Sequence, residues 1–121
     1  MNKKILIVDD DPRNIFALKL TLKSRGYQIE SCTMAQEAID ILKKDNHFHA
    51  VLMDMMMPEM DGYEAIKIIR NTPSVSGIPV IAVTAQAMPE DRQKCLDAGA
   101  RDYVSKPIDV DQLITVIEKL P

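Results

Sequence analysis

Side chains able to handle phosphate stand directly after short apolar runs of this chain. Asp9, Asp10 and Asp11 follow Ile5 to Val8, and Asp54 follows Ala50 to Met53. Thr84 and Ala85 follow Val80 to Val83, while Ser105, Lys106 and Pro107 follow Tyr103-Val104. Carboxylates gathered at one place repel each other, and a raised pKa or a bound divalent cation relieves the repulsion. An oxygen-rich set poor in nitrogen and sulfur suits a hard ion such as Mg²⁺, with Mn²⁺ as a substitute; Mg²⁺ keeps several waters that a phosphate can displace. Lys106 beside that ion would neutralise phosphoryl oxygens, Thr84 and a backbone N–H would hydrogen-bond one, and a carboxylate could be the nucleophile. Each Asp or Thr alone is more simply a cap or a turn residue. Jointly, behind four apolar runs, they describe a phosphoryl site.

Elements of regular structure must bring these residues together. Apolar runs bounded by charge or turn residues suit strands buried on both faces of a parallel sheet, and a weaker run at Tyr27 to Ser31 adds a fifth. Between them, helical spacing joins Ile15, Leu18 and Leu22; Ala35, Ala38, Ile39 and Leu42; Ala65, Ile66 and Ile69; and Leu113, Val116, Ile117 and Leu120. Asp11-Pro12 opens the first helix and Asp109 caps the last, while Gly26 and Gly99 close the first and fourth. Asp61-Gly62 marks the turn into the third helix, and Asn71 to Pro79 is a loop. Strand and helix therefore alternate five times in an α/β domain of three layers, whose ligands belong beyond the carboxyl ends of the strands.

Length and composition exclude several other functions. With 121 residues the chain has room for one domain, spanning 1–121. A net charge of −3 argues against direct binding to nucleic acid. Only Phe16, Phe48, Tyr27, Tyr63 and Tyr103 are aromatic, too few for a base-stacking platform or a membrane belt. No apolar run approaches the roughly 18 residues of a membrane span, so a cytoplasmic setting without membrane contact is expected. Cys32 and Cys95 lie outside any metal or redox spacing and read as reduced, partly buried thiols.

The stretches Ile5 to Pro12, Asp54 to Gly62, Val83-Thr84-Ala85 and Tyr103 to Pro107 together resemble, in order, the receiver domain of two-component response regulators. That resemblance implies a CheY-like, flavodoxin-like (βα)5 fold with a parallel sheet of order 2-1-3-4-5. It implies that Asp54 accepts a phosphoryl group from a histidine kinase or histidine phosphotransfer protein. It also implies Mg²⁺ ligation by Asp10, by Asp9 mainly through water, by Asp54 and by the main-chain carbonyl of Met56. Thr84 and Lys106, with the Ala85 N–H, would grip the phosphoryl group, and the Tyr103 ring would turn inward as Thr84 moves. The Lys106-Pro107 bond would be cis. Such a module is no enzyme beyond its own phosphorylation and dephosphorylation, and it would meet an effector or output domain through its fourth helix, fifth strand and fifth helix.

Several features stand outside that pattern. Five of the eight Met residues lie between Met53 and Met60, most simply as flexible apolar filler. The resemblance places Met56 and Gln86 beside the path of the hydrolytic water, so Met56 is expected to alter phosphoryl lifetime. His47 and His49 lack a third ligand and read as solvated loop rather than a metal site. Glu90 to Lys94 reads as the solvated face of the fourth helix, with a docking role as the alternative. Thr84 to Met88 with Asp91 to Leu96 resembles receivers of hybrid histidine kinases, and the Met1-Asn2-Lys3-Lys4 start suggests a receiver at the beginning of its chain. Two other functions compete. An aspartyl-nucleophile, metal-dependent phosphatase of the haloacid dehalogenase kind would need Asp-x-Asp-x-Thr after the first strand, and a nucleotide or flavin module would need a Gly-rich loop. Neither pattern is present.

Overall fold

The computed structural model describes residues 3–57, 60–85 and 88–120. Each expected apolar run forms a strand: β1 (Lys4–Val8), β2 (Gln28–Cys32), β3 (Ala50–Asp54), β4 (Val80–Thr84) and β5 (Asp102–Ser105). The helices between and after them are α1 (Pro12–Ser24), α2 (Ala35–Lys44), α3 (Gly62–Arg70), α4 (Pro89–Ala98) and α5 (Val110–Glu118). All strand pairs are parallel, in the order β2-β1-β3-β4-β5. The (βα)5 alternation and the 2-1-3-4-5 order that the resemblance implies are the ones observed.

Alternation along the strands divides the core into two layers, because successive side chains of a strand point to opposite faces. Leu6, Val8, Val51, Met53, Val80 and Ala82 meet α2, α3 and α4 on one face. Ile5, Ile7, Leu52, Ile81, Val83 and Val104 meet α1 and α5 on the other. Nearly all of these are fully buried, and each such Leu, Ile or Val contributes about 1.5–3 kcal/mol relative to exposure. Burial on both faces is why the runs are continuously apolar rather than alternating.

Capping ends the elements where the punctuation predicts. The Asp11 side chain accepts the Arg13 N–H, with Pro12 in the first turn, and Asp61 and Asp109 accept the N–H groups of Glu64 and Gln112. Gly99 closes α4 with φ at 118°, a conformation that disfavours any side chain. Helix α4 buries only Cys95 and Ala98, so Glu90 to Lys94 face outward as the sequence suggests. Arg70 secures the far end of α4: its guanidinium donates to the carbonyls of Gly99, Ser76 and Ile78 at 2.8–2.9 Å.

Strand order reverses between β1 and β3, since β1 continues outward to β2 while β3 leads to β4. The crevice at such a switch point is the standard ligand site of open α/β sheets. Val8 is in register with Met53, which carries Asp9 and Asp54 together to the mouth of that crevice.

Candidate functional site

Two strand ends supply the acidic half of the site. Asp54 is the last residue of β3 rather than the first of the loop, and it is 3% exposed. Its carboxylate Oδ1 accepts the Met56 N–H at 3.0 Å. Asp9, just beyond β1, is equally buried, and its Oδ1 accepts the Asp11 N–H at 2.8 Å. Asp10 is exposed at the rim. One carboxylate oxygen from each of Asp9, Asp10 and Asp54 lies within 4.8 Å of the others. Asp11, adjacent in sequence, turns away to cap α1, and the Arg13 N–H holds its pKa below the usual carboxylate range.

Lys106, beyond β5, supplies the only cation that pairs with these carboxylates among the described residues. Its Nζ lies 3.4 Å from Asp54 Oδ2 and 3.9 Å from Asp9 Oδ2. Burial pushes the Asp9 pKa up, the charges of Asp54 and Asp10 add to that push, and the Asp11 N–H and Lys106 oppose it. A buried carboxylate facing like charges is more stable beside a cation. Oxygen-only donors at these separations fit a hard divalent ion such as Mg²⁺.

Strand β4 positions the hydroxyl. Thr84 ends β4, is 1% exposed, and its carbonyl accepts the Lys106 N–H at 2.7 Å, which ties the β5 end to the β4 end. Ala85 is exposed just beyond it. The Lys106-Pro107 bond is cis, as expected. Tyr103 is half-buried on β5, its ring against the α2–α4 face of the core, with the Arg92 guanidinium of α4 5.7 Å from the ring centroid. Met56 projects outward at 59% exposure beside Asp54, whereas Met53, Met55 and Met57 are buried. Gln86 lies outside the described residues. A shallow groove of about 250 Å³ between α1 and the β5–α5 loop adjoins Lys106 and is lined by Ala17, Leu18, Pro107 and Ile108.

Other candidate groups are engaged elsewhere. His47 Nδ1 lies 3.2 Å from the Asp45 carboxylate, and His49 Nε2 lies 3.4 Å from the Ile117 carbonyl. Cys32 and Cys95 are free, buried thiols; burial pushes Cys32 up to about 11 and also raises Cys95, which leaves both unreactive. The Arg92–Tyr103 and Arg70–Gly99 contacts had no signal in the sequence, because each joins positions that neither periodicity nor a motif relates.

A doubly wound parallel sheet with carboxylates, a hydroxyl and an ammonium at its carboxyl edge defines a CheY-like signalling fold. The chain belongs to the response regulator receiver domain family, whose model matches residues 5–118. It is 38% identical over 109 residues to signal transduction histidine-protein kinase BarA of Escherichia coli K12, covering 90% of this chain and 12% of that protein. The chain thus spans about an eighth of that relative's length. Among solved structures it resembles the receiver domain of sensor histidine kinase PA1611 from Pseudomonas aeruginosa, described with magnesium coordinated in the active-site cleft. The TM-score is 0.89 at 32% identity, covering 99% of this chain and 98% of that one. It also resembles the Saccharomyces cerevisiae receiver domain of Ssk1, crystallised with the histidine phosphotransfer protein Ypd1, with a TM-score of 0.91 at 28% identity and coverage of 98% and 88%.

Proposed function

We propose that residues 1–121 work as one phospho-accepting receiver domain in which Asp54 takes a phosphoryl group from a phosphohistidine. The observation that carries this reading is the position of Lys106 Nζ, 3.4 Å from Asp54 Oδ2, beside three clustered carboxylates. A carboxylate oxygen of Asp54 attacks phosphorus, the P–N bond breaks as the P–O bond forms, and the departing imidazole nitrogen takes a proton from water. Lys106 and the Thr84 hydroxyl, with the Ala85 N–H, stabilise the phosphoryl oxygens as charge moves onto them. Asp9, Asp10, Asp54 and the Met56 carbonyl would hold Mg²⁺, which when bound supplies further neutralisation of those oxygens.

The added charge then draws Thr84 and Lys106 inward. Tyr103 follows as the switch, altering the face formed by α4, β5 and α5 where an effector or output domain binds. The donor is a histidine kinase or histidine phosphotransfer protein; the complex of Ssk1 with Ypd1 supports that partner class. No helix of the described residues is long and apolar enough to cross a membrane, and we place the domain in the cytoplasm. It turns over no external substrate.

Intact mass after incubation with acetyl phosphate and Mg²⁺ tests this reading. The expected result is one phosphoryl adduct that disappears in Asp54→Asn. An adduct retained in that variant, or multiple turnover of a phosphomonoester, overturns it; the latter favours the aspartyl phosphatase.

A further inference from the structure

Gly62 opens α3 immediately against the segment that carries the acceptor aspartate. It is buried, yet its φ is not in the left-handed region; among the described glycines only Gly26 and Gly99 have positive φ. Backbone conformation is therefore not the reason for a glycine here. Space is the reason. A Cβ at Gly62 would lie 2.5 Å from Met55 Sδ, 2.7 Å from Met55 Cα and 2.9 Å from the Asp54 carbonyl oxygen. Side chains do not approach backbone atoms that closely, so a methyl group must displace either the start of α3 or the main chain of Asp54 and Met55.

Neither element can yield freely. Helix α3 is fixed by Ala65, Ile66 and Ile69, all fully buried, and by the Asp61 cap, whose carboxylate accepts the Glu64 N–H at 2.9 Å. On the other side, Met55 is 1% exposed and its N–H donates to the Val83 carbonyl at 3.0 Å. The next residue, Met56, donates its N–H to Asp54 Oδ1. Displacement at Asp54 or Met55 therefore passes directly to the carboxylate and to the amide that orients it.

We propose that Gly62 is a positioning residue for the acceptor site: the absence of its side chain lets α3 close on the Asp54–Met56 main chain and holds the Asp54 carboxylate and Met56 carbonyl in cation-binding register. The inference rests on the receiver reading above. It assigns a site function to a position that the sequence marks as a turn at the end of the Asp54 to Gly62 stretch.

The test compares the wild type with Gly62→Ala, Gly77→Ala and Val75→Ala by ¹H–¹⁵N NMR without metal and by Mg²⁺ titration. A Cβ at Gly77 meets nothing within 4 Å, and Val75 is a buried core residue in the loop before β4, at the opposite end of the sheet, so the controls separate site effects from lost stability. In Gly62→Ala the Met55 and Met56 amide resonances shift in the metal-free protein, and Mg²⁺ affinity falls roughly tenfold or more, the scale seen when ligand-orienting groups are lost. In Val75→Ala the melting temperature falls while both readouts stay at wild-type values. An osmolyte such as trimethylamine N-oxide keeps a weakened variant folded for the same measurements. The double variant Gly62→Ala/Met55→Ala removes the thioether contact and keeps the backbone ones, so it stays defective. Wild-type resonances and affinity in Gly62→Ala, or their full return in the double variant, overturn the proposal. A wild-type protein that binds no Mg²⁺ instead defeats the receiver reading on which the proposal rests.

Discussion

The Lys106 ammonium stands 3.4 Å from the Asp54 carboxylate although Asp54 ends β3, Lys106 follows β5 and the two are not paired with one another in the sheet. The main chain carries the connection: Lys106 N–H donates to the Thr84 carbonyl, and Asp54 is in register with Val83, the neighbour of Thr84. Replacing the ammonium with an isosteric apolar chain removes the charge while keeping most of the packing. Lys106→Met is expected to slow phosphorylation by acetyl phosphate about a hundredfold, the scale for one lost preorganised donor. Intact mass against time reads the rate.

Asp9 is buried against two other carboxylates, and its carboxylate is costly to the metal-free protein. Asn keeps an oxygen for the Asp11 N–H and removes the charge. Asp9→Asn should melt higher than the wild type without metal at neutral pH. Its Mg²⁺ affinity should fall roughly 10- to 100-fold. Thermal unfolding with and without Mg²⁺ measures both effects, and a lower melting temperature in the metal-free variant contradicts the electrostatic account.

Met56 places an apolar side chain at 59% exposure beside Asp54. Under the proposed function that side chain would flank the path of water to an acyl phosphate on Asp54. In Met56→Asn a polar amide replaces it, and the phosphoryl group should hydrolyse severalfold faster. Loss of the mass adduct after removal of acetyl phosphate gives the rate, and an unchanged rate removes Met56 from the hydrolytic path.

Lys4 donates a hydrogen bond to Asp45, which together with the His47 N–H lowers the Asp45 pKa from 3.8 to about 2. A carboxylate whose pKa is depressed on folding contributes stability above its unfolded pKa, and that stability is lost as pH falls toward the folded value. The pair therefore protects the fold above about pH 4 and stops doing so between there and about pH 2. Lys4→Met should flatten that part of the stability profile. Denaturant midpoints across the acid range provide the comparison.

Arg70 satisfies the carbonyls of Gly99, Ser76 and Ile78 and so binds the end of α4 to the loop before β4. Losing a hydrogen bond from a charged donor costs about 1.5–3 kcal/mol, so Arg70→Met should cost at least about 2 kcal/mol. Cys95 on α4 is fully buried and reports local opening. Its modification by a thiol reagent should accelerate in the variant, while Cys32 on β2 should change less.

Most of the secondary structure was legible in the sequence because burial and capping are local signals. Apolar runs at Ile5, Ala50 and Val80 could lie only between two layers, and Asp11, Asp61 and Asp109 could satisfy free helix N–H groups in place. Strand β2 has the weakest apolar pattern and lies one residue later than expected, at Gln28–Cys32, because an edge strand with exposed Gln28 and Glu30 lacks a continuous apolar run. The site was legible as a set of residues at strand ends. Their convergence on one edge of the sheet follows from the alternation of strand and helix, while the strand order comes from the receiver resemblance.

By itself the sequence determined which residues are strand, helix or cap, and which chemical groups stand at the carboxyl edge. Only the tertiary structure decided which of those groups meet. Asp9 and Asp11 are near neighbours in the chain, yet the fold sends one to the buried cluster and the other to a helix cap. Gly62 reads as a turn in the sequence, and only the packing of α3 on Met55 shows that it makes room for the Asp54 main chain. Hydrophobic pattern acts through local periodicity, whereas distances between Asp54, Lys106 and Gly62 depend on how separate elements pack, and no local signal encodes that.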